Sequence, residues 1–131
     1  MKEEITQDEI VFVKKLYDIM KGYEKYAKKV NEPDEKNVIQ NISQILDVPG
    51  PKLENVLTHS PEKISYGTIR NIRLVREIFS VLGESLTRQG IYEWLGGCNQ
   101  YLGKKQPLEL LLRKDYQPLR DAVFDLRDSI I

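Results

Sequence analysis

The sequence is poor in residues that carry chemistry. Among 131 residues it has one cysteine, Cys98, and one histidine, His59. A single thiol excludes an intrachain disulfide, which fits a reducing, cytoplasmic setting. With no second His and no Cys–His spacing, neither a metal nor a cofactor is expected, and His59 reads as a solvated loop residue. The chain has no charge excess of either sign, because 20 basic and 20 acidic side chains cancel. There is thus no global electrostatic drive toward nucleic acid, and any such affinity must come from local clusters. No apolar run approaches the roughly 20 residues of a membrane span. The start, Met1-Lys2-Glu3-Glu4, lacks the apolar core of a signal peptide. There is also no glycine-rich phosphate loop, no Gly-x-Ser-x-Gly and no persuasive carboxylate pair, so an enzyme is not expected. Period-2 alternation is missing, so no strand is expected either.

What remains is helical. With 40% hydrophobic and 31% charged residues, the chain has enough apolar surface for a core and is not compositionally disordered. The expected fold is all-α: a compact multi-helix domain with a helix-turn-helix-like unit followed by a C-terminal helical subdomain. Residues 6–30 form a long amphipathic helix, opened by a capping box of Thr6 with Glu9. Val13, Leu16, Met20, Tyr23, Ala27 and Val30 recur in heptad-like fashion, and Phe12, Ile19 and Tyr26 widen the stripe. That width suits packing on the domain and also self-association with a second copy. Pro33, within Asn31-Glu32-Pro33-Asp34-Glu35, ends the helix, giving a first segment, 1–33.

A second segment, 34–83, holds a helix-turn-helix pattern and a connecting helix. Val38, Ile42, Ile45 and Leu46 share one face. Asp47-Val48-Pro49-Gly50 breaks it, and Leu53, Val56 and Leu57 follow on a shorter helix. Ile42, Leu46, Val48, Leu53 and Leu57 are the buried positions such a unit needs. If the second helix reads DNA, Lys52 and Asn55 are its base- and phosphate-contacting residues. Glu54 and the even charge balance of residues 36–63 oppose that reading. The next helix, 65–82, takes Ser65 or Thr68 as N-cap and Gly83 as its stop. It carries Arg70, Arg73 and Arg76 on one broad side, with Arg70 and Arg73 as phosphate-contacting candidates; a solvated, partly paired face is the other reading.

The third segment, 84–131, contains the most specific stretch. A helix from about Leu86 to Leu95 runs into Gly96-Gly97-Cys98-Asn99-Gln100-Tyr101-Leu102-Gly103-Lys104-Lys105-Gln106, and Pro107 opens the next short helix. Glycines suit backbone angles that other residues adopt only with strain. Trp94, Tyr101 and Leu102 are more than a plain connection needs. Leu110, Leu111 and Leu112 fill a core or meet a partner. Pro118 opens a last helix with Leu119, Ala122, Val123 and Leu126 on one face, and the chain ends on apolar Ile130-Ile131.

This stretch resembles the C-terminal toxin-binding domain of the Xre/MbcA/ParS-like antitoxins. Their pattern runs roughly Trp-Leu-x-x-Pro-Asn-x-x-Leu-Gly-x-x-x-Pro-Leu-Glu/Asp-Leu-Leu. Trp94, Leu95, Asn99, Leu102, Gly103, Pro107, Leu108, Glu109, Leu110 and Leu111 stand at its positions, with Cys98 in place of the usual proline. Ile42 to Val48 sit where the family has its helix-turn-helix, with Asp47 replacing a glycine, and Pro49 and Pro51 not typical. The resemblance covers about residues 36–125. It implies an antitoxin whose partner is a RES-type, NAD-degrading toxin. It further implies occlusion of the toxin's active site by the C-terminal domain and repression of the chain's own operon as a homo-oligomer on operator DNA. The implied toxin-binding residues are Asn99, Tyr101, Leu102, Gly103, Pro107, Leu108 and Leu111. Of these, Asn99 and Tyr101 are presented outward, while Leu102 and Pro107, with Trp94, set the loop's shape. Two further readings stand beside it: a helix-turn-helix transcriptional regulator without a toxin, and a structural, self-associating helical protein.

Overall fold

The structure, a computed structural model, describes the backbone of residues 2–58 and 62–130 and the side chains of 4–58 and 62–129. His59 and the apolar end Ile130-Ile131 lie outside the described side chains. The fold is all-α. Among the described residues, seven α-helices run in the order α1 (Gln7–Lys28), α2 (Glu35–Leu46), α3 (Gly50–Leu57), α4 (Tyr66–Ser85), α5 (Arg88–Gly96), α6 (Pro107–Leu112) and α7 (Tyr116–Ile130). One correction to the sequence reading is a small antiparallel ribbon, in which β1 (Lys2–Glu4) pairs with β2 (Lys63–Ser65) in the register Glu3↔Ile64. Strands of three residues are too short to show alternation, so no pattern announces them.

Two compact units divide the chain, Met1–Arg73 and Leu74–Ile131, with the division inside α4. In the first, α1 packs on α2 and α3. Phe12, Val13, Leu16, Ile19 and Met20 of α1 are buried, as are Ile42, Ile45 and Leu46 of α2, Leu53 and Val56 of α3, and Ile64 of the ribbon. The stripe on α1 outlasts this core. Tyr23 is half-buried, whereas Tyr26, Ala27 and Val30 are exposed. In the second unit, α6 packs on α5 and α7. Its core takes Ile78 and Leu82 from α4, Leu95 from α5, Leu110 and Leu111 from α6, and Leu119 and Val123 from α7.

Helix ends follow local chemistry. The Thr6 hydroxyl accepts from Glu9 N (3.2 Å) and the Glu9 carboxylate from Thr6 N (2.9 Å), the reciprocal pattern expected at the start of α1. Asp34 caps α2 and Thr87 caps α5. Ser65 caps α4 by accepting from Thr68 N at 3.2 Å. Gly83 does not stop α4, because Leu86 N still donates to Leu82 O at 2.8 Å and the ladder continues past it. The left-handed backbone with which a glycine commonly closes a helix is adopted, among the described glycines, by Gly103 alone.

The turn between α2 and α3 is built without glycine. Asp47 takes φ 58° and ψ 55°, a left-handed conformation that costs a side-chain-bearing residue about 1 kcal/mol or more. The carbonyls left at the end of α2 are satisfied from α4: Asn71 Nδ2 donates to Leu46 O (2.9 Å) and buried Thr68 Oγ1 to Asp47 O (2.6 Å). The Ser43 hydroxyl also donates to Val48 O. Replacing Thr68 by isosteric valine removes one of these donors and leaves a carbonyl unmet. A loss of about 1–2 kcal/mol is expected, read as a lower denaturant midpoint at unchanged slope.

Candidate functional site

The stretch between α5 and α6 is a closed loop rather than a slack connection. A 3-10 turn, Gln100–Leu102, is capped by Asn99, whose Oδ1 accepts from Tyr101 N at 2.9 Å. The Asn99 carbonyl accepts from Leu102 N (3.1 Å) and Lys104 N (2.8 Å), and Asn99 N donates to Lys105 O (3.1 Å). The loop is thereby tied at its two ends by a bridge between residues 99 and 105. At its far side Lys105 N donates to Leu102 O (3.3 Å) across Gly103 (φ 66°) and Lys104 (φ 67°). Two successive positive φ values inside such a bond define a type I′ turn. Glycine is required at 97 for a different reason: a Cβ there would sit 2.8 Å from the Glu93 carbonyl oxygen.

The loop separates frame from display. Leu102 is 7% exposed and Leu111 0%, and Pro107 is buried, so these three expected contacts belong to the core and offer a partner no surface. Trp94 and Leu108 are half-buried. Asn99, also half-buried, spends its carboxamide oxygen on the loop itself. Tyr101 is 55% exposed, an unusual position for so large an apolar surface. Gly103, Lys104 and Lys105 are exposed beside it, as is the free thiol of Cys98.

The DNA-contacting candidates fall in two places in the first unit. On α3, Lys52 Nζ donates to Lys63 O (2.9 Å) and lies 3.9 Å from Glu62, while Asn55 Nδ2 donates to Glu62 Oε2 (2.8 Å). The two side chains proposed to read bases are therefore both engaged by the segment that follows α3. On α4, Arg70 and Arg73 come together with Tyr66, Gly67 and Ile69 around a cleft of about 520 Å³. Arg73 Nε donates to the buried Glu9 at 3.1 Å. Sequence reading missed a larger groove, about 970 Å³, between α1, α2 and α3, with Tyr17, Ile39 and Leu57 among its lining and Lys14, Asp18, Glu35 and Glu54 also bordering it. Burial, and then Glu35 beside it, raises the Tyr17 hydroxyl above the usual phenol range. Its signal was faint: half-buried Ile39 and Leu57 lie off the fully buried positions of their helices. Among the described residues no group of His, Cys, Asp and Glu is placed to hold a metal ion.

Glu9 is the most informative carboxylate. Burial pushes its pKa up, but the Thr6 backbone N–H, the Thr6 hydroxyl and Arg73 together outweigh that and hold it below 4.5. A depressed carboxylate stabilises the fold above its unfolded pKa, and that contribution is lost as pH falls through the lowered value. Acid titration of stability should show this loss below about pH 4.5, and Glu9→Gln should be less stable near neutrality with a flatter acid limb. At the loop, Lys104→Gly should relieve left-handed strain and raise stability by about 0.5–1 kcal/mol, measured as a higher melting temperature.

Comparison of the chain with protein-family models, with curated proteins and with solved structures finds no match.

Proposed function

We propose that this chain is the antitoxin of a type II toxin–antitoxin pair. In this reading its second unit covers the active site of a RES-type, NAD-degrading toxin in the cytoplasm, and the chain, as a homo-oligomer, represses its own operon. The observation that carries the reading is the closed loop at 99–105, which holds Tyr101 out at 55% exposure on a backbone tied by its own hydrogen bonds. Preorganisation of that kind lowers the ordering cost of association, and an exposed tyrosine is a frequent anchor of protein interfaces. The residues that match the antitoxin pattern divide accordingly: Leu102, Pro107 and Leu111 hold the loop's base, and Asn99 shapes its turn. No described helix is long and apolar enough to cross a membrane, which agrees with a partner met in an aqueous compartment.

Regulation of transcription without a toxin is the second reading. The cleft at Arg70 favours it, since a cation beside exposed Tyr66 suits a phosphate backbone, while Arg73 in the same cleft is already paired with Glu9. It draws less support from α3, where Glu62 engages both Lys52 and Asn55.

Co-expression with a RES-type toxin, which the first reading expects to be encoded beside the chain, tests that reading. The wild-type chain should restore growth, and Asn99→Ala with Tyr101→Ala should abolish the rescue. Tyr101→Ala alone should weaken the complex about tenfold or more. Undiminished rescue by the double variant would show that the loop is not the binding surface. Operator binding that weakens on replacing Arg70 and Arg73 and falls steeply with salt, with no effect on any toxin, would support the second reading.

A further inference from the structure

We infer that the loop tip formed by Tyr101, Lys104 and Lys105 docks on an acidic protein surface. The inference rests on the toxin-neutralising reading only for the partner's identity; the chemistry of the tip stands on its own.

Charge around the loop is one-sided. Between Glu93 and Glu109 the chain has two lysines and no acidic residue. Three other cations of the second unit are balanced locally: Arg113 pairs with Glu109, Arg120 with Glu77, and Arg127 lies against Asp128. Among the described residues Lys104 and Lys105 have no such carboxylate, and both are exposed next to Tyr101. A neutral chain thus displays, at its most prominent aromatic, an uncompensated double positive charge.

Lys104 also stands where its backbone is strained. Among the described residues, four non-glycine positions adopt positive φ: Lys29, Asp47, Lys104 and Lys114. Lys29 and Lys114 follow α1 and α6, where the negative end of the helix dipole favours a cation. Asp47 closes α2 and offers its carbonyl to Thr68. Lys104 follows only a three-residue 3-10 turn and has neither compensation. Glycine or asparagine would suit this second central position of a type I′ turn better. What lysine adds there is an outward-facing charge, and a strained residue beside an exposed aromatic is a reason to look for a function. Complementary charge raises association rate and fixes orientation, while the tyrosine supplies contact area at little entropic loss.

The test uses the full chain, immobilised, against a phage-displayed library of random peptides. The wild type should enrich peptides rich in Asp and Glu beside an aromatic residue. Combining Lys104→Asn with Lys105→Gln, in a chain that melts no lower than the wild type, should remove that acidic bias. The same double variant should weaken the best wild-type peptide about tenfold. Lys104→Gly serves as a second variant, since it suits the same backbone and should lose part of the bias. A wild-type selection without acidic excess, or the same excess on both chains, overturns the inference. Failed growth rescue alongside an intact acidic selection would sink the toxin reading and leave the docking chemistry standing.

Discussion

Asp47 turns the chain left-handed at the end of α2, and the carbonyls stranded there are met by Thr68 and Asn71 of α4. Buried carbonyls without donors are expensive, so a sharp turn of this kind persists only if something reaches back to it. Here the donors come from more than twenty residues further on. The placement of α3 depends on that reach, because the turn sets where it leaves α2. The start of α4 depends on it too, since Thr68 sits in the first turn and also engages Ser65. Glu9 adds a second long tie, joining the cap of α1 to Arg73 across 64 residues. The first unit is thus stitched by long-range polar ties, two of them made by the buried side chains of Thr68 and Glu9.

The second unit solves the same problem locally. Its loop pairs most of its backbone N–H groups within seven residues, from Asn99 to Lys105. One side chain, Asn99, takes the Tyr101 N–H. The loop's residues are accordingly of two kinds: those that bury under it, such as Leu102 and Pro107, and those that bend it, such as Asn99 and Gly103.

Helices and their apolar faces were legible in the sequence because burial imposes a period on each. The capping box at Thr6 and Glu9 and the cap at Ser65 were legible because their partners lie three residues away. What lay beyond reach was set by distant pairing. Nothing local links Glu62 to Lys52 and Asn55, yet that carboxylate decides what α3 can present. The ribbon pairs Glu3 with Ile64, too short and too remote to leave a pattern. The stripe on α1 was legible, but where it stops being covered depends on the lengths of the helices against it. Gly83 misled because composition marks a weak point in a helix, whereas continuation depends on whether the next N–H finds its carbonyl, as that of Leu86 does. At the candidate site the outward Tyr101 and the buried Leu102 match the expected division, whereas Leu111, expected to meet a partner, is fully buried.

The backbone bonds that close the 99–105 loop have an evolutionary consequence. They involve main-chain atoms at Gln100, Lys104 and Lys105, and exposed side chains at 100, 101, 104 and 105 contribute little to holding the shape. Positions 100, 101 and 105 can be exchanged among residues that keep the backbone N–H, and 104 among those that accept a left-handed backbone, while the curve of the chain persists. Two descendants of this sequence could therefore keep one architecture and yet stop recognising each other's partners. Such insulation between duplicated pairs would need no change in the core.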